Sequence, residues 1–353
     1  MPLEPRLTPS VSEISSLTQL ERFLPPAEDA GGKLGPREYE FFQQCARIPF
    51  ETTVKTYSAA NAWYLSDLAY LAYTDRETID EVQQAVRPAL ARMFRSPPQV
   101  KAFIGLAKVW GMKAPHDRIQ CIVAHDTTMG LVAFRGTLPQ SIPNWLTDAD
   151  FVPTREAGSV PMHVHAGFQG ALDCVWQAGQ AGGVEQYLAE VVANNANLTW
   201  WFTGHSLGAA LAALAARRFG RAHALYTYGS PKVGDAAFVE QLTQSVAAHY
   251  RIVNHRDIVT HLPTISPYEH AGSLKHIEDH EPSSPMIPRL WKYVRKFLGC
   301  EPIWDTTALE LFNELGQLKS DFEDARLLRV CLDHIPIFYS KILWNQLIAT
   351  TSD

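Results

Sequence analysis

The sequence predicts an α/β fold in which helices cover both faces of a mostly parallel sheet. Residues 198–202 form a short apolar, aromatic and β-branched run that is typical of a buried central strand. After a glycine-rich turn, residues 209–219 consist almost entirely of strong helix formers. Two further apolar runs, at 224–228 and 250–254, are candidate buried strands. Strands that alternate with helices favour a parallel sheet.

The other elements follow from apolar spacing along the chain. Residues 58–73 place apolar side chains at helical spacing. A second helix is predicted for 78–94, although Pro88 should break or kink it. The apolar runs at 121–124 and 131–134, joined by a polar turn, predict a β-hairpin. Residues from 165 to about 190 are interpreted as one long helical region, and residues 1–50, rich in Pro, Gly, Ser and Glu, as an irregular N-terminal arm.

The turn between the central strand and its helix has the pattern Gly204-x-Ser206-x-Gly208. A sharp strand-to-helix turn lifts a serine hydroxyl clear of the backbone, where it can act as a nucleophile. Glycines flank the serine because side chains there would crowd so tight a turn. The strand before it and the helix after it are the context that this motif requires. The backbone N–H of Leu207, the residue after the serine, is then a candidate donor to an oxyanion.

A serine nucleophile needs a base, and the base needs an orienting acid. Asp257 follows the predicted strand at 250–254, so its carboxylate should lie at the same sheet edge as the turn. A cap on a turn is an equally good interpretation of Asp257 from local physics alone. Five histidines follow Asp257. His261 is only four residues away, which is too close for it to reach the far side of the acid, and local physics does not separate the others, which are His270, His276, His280 and His334.

Composition and charge limit the functions and the cellular locations that the chain can have. The chain has 353 residues, is 46% hydrophobic and carries a formal net charge of -6, so it can bury a large core and offers no electrostatic case for nucleic acid. The cysteines have neither metal-ligand nor redox spacing, and the N-terminus lacks the pattern of a signal peptide, which together favour a cytoplasmic location. Export by another route stays open. No stretch is long and apolar enough to predict a transmembrane segment.

From about residue 61 onward, the chain resembles the fungal-type, class 3 triacylglycerol lipases of the α/β-hydrolase superfamily. Five blocks around the Ser206 turn carry the resemblance in the family's order: Val-Ala-Phe-Arg-Gly-Thr at 132–137, Asn-Trp-Leu-Thr-Asp at 144–148, His-Ala-Gly-Phe at 165–168, Thr-Tyr-Gly-Ser-Pro-Lys-Val-Gly at 227–234 and the acid loop at 251–263. The resemblance implies an α/β-hydrolase domain at 51–353 with Ser206 and Asp257 in a catalytic triad.

The resemblance also implies the remaining site residues. The catalytic histidine of the family lies in a Leu-Asp-His block, which this chain has at 332–334, so His334 is the implied base. An earlier Tyr-x-His-x-Gly pattern falls on His270, for which the family implies packing and hydrogen bonding. Thr137 is the implied second oxyanion donor. A lid is implied at about 138–152, with its apolar residues Trp145, Leu146 and Phe151.

Two further segments have plain structural interpretations. A long insertion, at about 273–328, separates the acid loop from His334 and contains a basic amphipathic stretch that is interpreted as packing on the core rather than on a membrane. His276 and His280 are possible metal ligands, but an isolated pair in a charged loop is usually only solvated. No metal and no organic cofactor is therefore expected.

The sequence thus predicts a serine carboxylester hydrolase, and the resemblance implies a lipase that acts on acylglycerols. The expected partners are an ester or lipid substrate and, transiently, a lipid interface. A phospholipase A1 and a short-chain or feruloyl-type esterase are alternatives on the same scaffold. An α/β-hydrolase-fold binding protein without catalytic activity is the alternative of a different class.

Overall fold

The computed structural model describes residues 39–42, 45–107, 117–137, 152–156, 158, 160–177, 182–255, 257–263, 266–278 and 333–351. The strands are β1 (Gln99–Ala107), β2 (Asp117–His125), β3 (Met129–Phe134), β4 (Pro153–Arg155), β5 (His163–His165), β6 (Thr199–His205), β7 (Ala224–Tyr228), β8 (His249–Asn254) and β9 (Ser273–Ile277). The helices are α1 (Ala59–Leu71), α2 (Ile79–Met93), α3 (Ala166–Trp176), α4 (Val184–Asn194), α5 (Leu207–Phe219), α6 (Ala236–Ser245) and α7 (Pro336–Thr351).

A seven-stranded sheet with the order β1-β2-β3-β6-β7-β8-β9 organises the described residues. Within this sheet the first three strands are antiparallel neighbours and the remaining neighbours are parallel, whereas β4 and β5 pair antiparallel in a separate two-stranded sheet. The central strand β6 pairs Phe134 of β3 with Gly204, so the end of β3 lies beside the start of the turn at Ser206. The predicted α/β class with a mostly parallel sheet is confirmed.

Helices cover the sheet on both faces, as predicted. One apolar cluster contains α1, α7 and the side chains of β6 to β8 that point towards them, such as Trp201 and Tyr226. The other contains α3, α5 and α6 with the alternate strand residues, such as Phe202 and Leu225. This alternation places successive side chains of each central strand in opposite cores, which explains why the strands are apolar without interruption. Both cores therefore fix the sheet edge from which the site residues extend.

Two sequence expectations differ from the structure. α2 continues through Pro88, because its start is secured by a capping box between Thr78 and Glu81 and its apolar face is buried. The predicted long helix from residue 165 is two helices, α3 and α4. Gly182 has a φ of +74° and Gly183 caps α4, so the chain turns before α4 begins.

Several predicted segments fall on residues outside the described ranges. The lid residues Trp145, Leu146 and Phe151 lie there, as does nearly all of the predicted insertion at 273–328, of which the described part contains β9. Part of the predicted N-terminal arm is described, and it is irregular there. The backbone N–H of Phe42 donates to the buried carboxylate of Asp67 in α1 at 2.8 Å, so this part of the arm joins the core.

Candidate active site

Ser206 occupies the turn between β6 and α5 in a strained backbone conformation. Its φ is +58°, a value that residues other than glycine rarely adopt, and the side chain is almost fully buried. Its N–H donates to the carbonyl of Tyr228 at 2.9 Å. A Cβ atom on Gly204 would lie 2.1 Å from the carbonyl oxygen of Gly208, and one on Gly208 would lie 2.2 Å from that of Phe134. Both glycines are thus required by close backbone approach.

Thr137 and Leu207 lie on two sides of the turn at Ser206. Leu207 is the first residue of α5, and the N–H groups of a helix's first turn have no partner within the helix. The chain after β3 runs tightly against β6, since a Cβ on Gly136 would lie 2.4 Å from the carbonyl oxygen of His205. Thr137 follows directly, is buried, and its Oγ1 has no hydrogen-bond partner among the described residues. The structure therefore brings the predicted oxyanion donors to the two sides of the Ser206 turn.

Asp257 and His334 form a direct pair. The Nδ1 atom of His334 lies 2.7 Å from Oδ2 and 2.9 Å from Oδ1 of Asp257, and both side chains are fully buried. Asp257 follows β8 and His334 precedes α7, so the pair joins two segments that are remote in sequence. The predicted acid and the predicted base are brought together as the resemblance implied.

Two further donors hold the Asp257 carboxylate. The N–H of Val259 donates to Oδ1 at 2.9 Å, and the hydroxyl of Tyr339 donates to Oδ2 at 2.5 Å. Burial, and then the charge of Asp257, raise the pKa of Tyr339 well above its usual value, so the phenol remains a donor. The Tyr339 oxygen also accepts from the N–H of Asn254 at 3.1 Å, and the Asn254 amide donates to the carbonyl of Asp333 at 2.9 Å. These bonds fix the start of α7 to the end of β8.

A second histidine, His205, lies against His334. The two ring centroids are 4.5 Å apart, and Nδ1 of His205 is 2.7 Å from the Tyr73 hydroxyl. Burial, and then the neighbouring His334, lower the pKa of His205 well below its usual value. A neutral His205 therefore supports the His334 ring without placing a second positive charge beside it.

Gly229 leaves room for the side chains of Asp257 and His334 because it has no side chain of its own. Its φ is +57°, and a Cβ atom there would lie 2.6 Å from Oδ2 of Asp257 and 2.9 Å from Nδ1 of His334. Gly229 directly follows Tyr228, the residue that accepts the hydrogen bond from Ser206. The pair is thus packed against the same strand end that positions the serine.

No hydrogen bond joins Ser206 to His334. The Nε2 atom of His334 is buried and has no partner among the residues described, although His205 beside the serine contacts the ring. Such a bond is often long in an unliganded site and tightens when substrate binds. An imidazole held by a buried carboxylate, with its other nitrogen free beside a serine, can accept the hydroxyl proton.

Two of the other histidines after Asp257, His270 and His276, make contacts elsewhere. Nε2 of His270 lies 2.6 Å from the carbonyl of Thr260, and burial lowers the pKa of His270 to about 3. This contact agrees with a packing and hydrogen-bonding role. His276 contacts the backbone carbonyl of His255 at 2.8 Å and pairs with Glu278, while His280 lies outside the described ranges. Within the described part of the chain, no cluster of three His, Cys, Asp or Glu side chains could hold a metal ion.

Sequence reasoning missed Tyr339, His205 and Gly229 as site residues. His205 lies inside the Gly204-x-Ser206-x-Gly208 pattern and Gly229 inside the block at 227–234, but neither pattern assigns these two residues a role. Tyr339 reaches Asp257 across a gap of 82 residues. Local patterning carries no signal for such a contact, although a hydrophilic hydroxyl in the otherwise apolar first turn of α7 was a visible exception.

The match to the class 3 lipase family covers residues 131–266. The lipase of Rhizomucor miehei is 35% identical over 168 residues, which are 44% of each chain. The secreted mono- and diacylglycerol lipase A of Penicillium camembertii is 36% identical over 148 residues, 41% of this chain and 46% of that one. A solved Rhizomucor miehei lipase–propeptide complex is 30% identical, with 51% of this chain and 58% of that chain covered and a TM-score of 0.41. The chain spans less than half the length of these curated relatives.

These matches correct one expectation. The cysteines and the N-terminus predicted a cytoplasmic location, whereas the matched Fusarium solani and Penicillium relatives are named as secreted lipases. The cytoplasmic prediction is therefore wrong; free cysteines are a weak guide because a large core needs no disulfides for stability. In the described part of the chain, none of the helices combines the length and apolarity that a bilayer crossing requires. The motifs, the sheet and the match over the Ser206 turn agree, and residues 131–266 belong to the class 3 lipase family.

Proposed function

We propose that this protein is a serine hydrolase that cleaves the carboxylic esters of acylglycerols. The observation that carries the proposal is the buried Asp257–His334 pair, which packs beside the strained Ser206 turn and leaves Nε2 of His334 without a partner among the described residues. Family membership adds the substrate class, since the matched relatives are named as lipases of acylglycerols. A lipid interface is the expected place of action.

The proposed reaction begins with attack of Ser206 Oγ on the ester carbonyl while His334 Nε2 accepts the hydroxyl proton. Asp257 holds the imidazole by its Nδ1–H and stabilises the positive charge that develops. The oxyanion is held by the N–H of Leu207 and by Thr137. The protonated His334 then gives its proton to the leaving alcohol. Water, activated by the same imidazole, hydrolyses the acyl-enzyme and regenerates Ser206.

The environment suits this chemistry. Because the carboxylate of Asp257 accepts bonds from His334, Val259 and Tyr339, its orientation is fixed while the imidazole changes charge. The neutral neighbour His205 does not oppose that change. A lid at 138–152, with Trp145, Leu146 and Phe151, belongs to the proposal as the segment that would contact lipid.

The test compares emulsified trioleoylglycerol and dioleoylglycerol with soluble p-nitrophenyl esters of two to sixteen acyl carbons. The wild-type chain is expected to release fatty acid from the emulsions and to cleave the long-chain esters. Activity confined to esters of two to four carbons would refute the assignment to lipases and favour an esterase. Absence of both turnover and a phosphonate adduct on Ser206 would favour a non-catalytic binding protein.

The base is tested by a matched pair of histidine variants. His334→Ala is expected to lower kcat by about 10,000-fold or more, because the serine loses its proton acceptor. His270→Ala removes a partly buried histidine that contacts a backbone carbonyl instead. Loss of turnover in His270→Ala with turnover retained in His334→Ala would overturn the assignment of the base.

A further inference from the structure

Gln120 is a fully buried amide in β2, where its neighbours along the strand are apolar. Its Nε2 donates to the carbonyl of Ala72 at 2.9 Å and to the carbonyl of Thr74 at 3.0 Å, so both amide hydrogens are bonded. These carbonyls belong to the turn that follows α1, named here the 72–75 turn. Burial of an amide is unfavourable unless its polar atoms are bonded, so the side chain of Gln120 is matched to this turn.

The main chain of Gln120 bonds to the segment that carries Thr137. The N–H of Arg135 donates to the carbonyl of Gln120 at 2.9 Å, which extends the pairing of β2 with β3 beyond the last residue of β3. Arg135, Gly136 and Thr137 are consecutive, and all three are buried. Gln120 therefore bonds through its carbonyl to the end of β3 and through its side chain to the 72–75 turn.

The 72–75 turn contacts the end of β3 with two of its own side chains. The Tyr73 hydroxyl lies so close to Gly136 that a Cβ atom on this glycine would clash with it. The carboxylate of Asp75 accepts from Nη1 of Arg135 at 3.2 Å. Burial lowers the pKa of Arg135, and the charge of Asp75 acts in the opposite direction, so this ion pair favours the charged guanidinium. The turn thus holds the two residues that precede the proposed oxyanion donor.

The same turn contacts the nucleophile side of the site. The hydroxyl of Tyr73 lies 2.7 Å from Nδ1 of His205, which is the residue before Ser206. Tyr73 is therefore placed between the chain that leads to Thr137 and the chain that leads to Ser206. A shift of the 72–75 turn would change the separation of these two residues, and a displacement of about 1 Å at a reacting centre reduces the rate about 100-fold.

We propose that Gln120 is a positioning residue that sets the distance between Thr137 and Ser206 by fixing the 72–75 turn against the end of β3. The inference rests on the proposed serine hydrolase function, and Gln120 acts only through the turn and the strand end. An apolar side chain of equal size would leave the two carbonyls of the turn without this donor, so the turn could shift. Oxyanion donors act on charge that develops only in the transition state, so such a shift lowers kcat and leaves substrate binding unchanged.

The test is Gln120→Met in the full chain, assayed with a long-chain p-nitrophenyl ester and with an alkylboronic acid. Methionine keeps the length of the side chain and removes both donors. We expect kcat to fall about 10- to 100-fold with KM within about twofold of the wild-type value. The boronic acid forms a tetrahedral adduct on Ser206 that resembles the transition state, so its Ki should rise by the factor by which kcat falls. A kcat within about twofold of wild type, or a lowered kcat with an unchanged Ki, would overturn the proposal.

Asn61→Leu is the matched control for the loss of a buried amide. Asn61 is also fully buried and exchanges two hydrogen bonds with the backbone of Glu51, but it lies at the other end of α1. Urea unfolding should show a loss of stability in this variant, while kcat and the boronic acid Ki stay at their wild-type values. An equal fall of kcat in both variants would show that kcat follows stability and would overturn the positioning role. A wild-type chain with neither turnover nor a phosphonate adduct on Ser206 would instead refute the proposed function itself.

Asp75→Asn covers the case in which Gln120→Met does not fold. The Asp75 side chain is 58% exposed, so the change should leave folding intact, while a neutral amide holds the Arg135 guanidinium less strongly. We expect kcat to fall about threefold or more with KM unchanged. Asp173→Asn is its control, because it removes a carboxylate that is 46% exposed and accepts from Arg218 at 2.6 Å. Equal kcat values in these two variants would overturn the proposal.

Discussion

The two halves of the candidate site are built in opposite ways. In the acid–base half, the Asp257 carboxylate accepts bonds from His334, Val259 and Tyr339, and Tyr339 is itself bonded to Asn254. In the nucleophile half, Ser206 has a strained φ of +58°, and Thr137 Oγ1 is buried without a partner among the described residues. In the first, saturated half the acid has its full set of hydrogen bonds, and in the second, open half the Thr137 hydroxyl has none among the described residues.

The difference has a physical reason. The acid must keep one charge and one orientation throughout the reaction, so the protein supplies all of its partners in advance. The nucleophile half acts on charge that develops only in the substrate, and donors already satisfied by the protein could not stabilise it. Substitutions in the open half should therefore reduce kcat with little loss of stability, whereas those in the saturated half should affect both.

The largest difference between the effect on kcat and the effect on stability is expected at Ser206. Ser206→Gly removes the hydroxyl and should lower kcat by at least about 10,000-fold. Because glycine adopts a φ of +58° without strain, the same change should raise the free energy of unfolding by about 1 kcal/mol. Ester hydrolysis and urea unfolding measure the two effects. Ser206→Ala is the control, since alanine removes the hydroxyl but keeps the strain; equal stability of the two variants would contradict the role of strain.

Gly229→Ala tests the saturated half by sterics. A methyl group there would lie 2.6 Å from Asp257 Oδ2, so the acid–base pair must shift. A loss of kcat of at least about 100-fold is expected, because displacement of about 1 Å has such an effect, together with a loss of roughly 3 kcal/mol in the free energy of unfolding. Gly220→Ala is the matched control: Gly220 has a φ of +72° and open space around it. Similar losses in both variants would mean that φ alone, and not contact with the pair, matters at Gly229.

The sequence predicted most of the open half and much less of the saturated half. The strand, turn and helix around Ser206 are continuous in sequence, so their periodicity and glycines predicted β6 and α5 nearly to their ends. The pairing of Asp257 with His334 rested on resemblance, because local physics left four histidines open. Tyr339 could not be found at all, since its contact with Asp257 arises from the packing of α7 across β8.

The edges of the sheet were also beyond local reasoning. β1 alternates between buried and exposed residues only over its first part, and β9 is exposed over most of its length. Such strands are specified by their neighbours in the sheet more than by their own composition. The split between α3 and α4 depends on the positive φ of Gly182, which a helical apolar pattern on either side conceals. Sequence patterning therefore succeeds where burial is complete and fails at edges and turns.

Thr137→Val should reduce kcat less than the changes at Ser206 and Gly229. The substitution removes the hydroxyl and keeps the shape, so backbone donors stay in place. We expect kcat to fall about 10- to 100-fold if the hydroxyl contributes to the oxyanion, while the free energy of unfolding stays equal or rises, because a buried unsatisfied hydroxyl is removed. Thr137→Ser keeps the hydroxyl and should retain activity within about threefold. Unchanged kcat in Thr137→Val would restrict the oxyanion donors to the backbone.

The smallest effect on rate is expected from Tyr339→Phe, which removes one of the donors to Asp257 and leaves the others. The carboxylate then has more rotational freedom, and the N–H of Asn254 loses its acceptor. We expect kcat to fall about tenfold with KM unchanged, because Tyr339 acts on the orientation of His334 and not on substrate binding. The free energy of unfolding should fall by about 1–3 kcal/mol, because a buried network loses a member. Tyr250→Phe is the matched control: it removes a tyrosine hydroxyl that donates to the backbone carbonyl of Lys55 at 3.2 Å in a solvent-exposed hydrogen bond. An equal fall in kcat for both variants, or a rise in KM with kcat unchanged, would show that Tyr339 contributes packing alone and that the Asp257 carboxylate is held sufficiently by Val259 and His334.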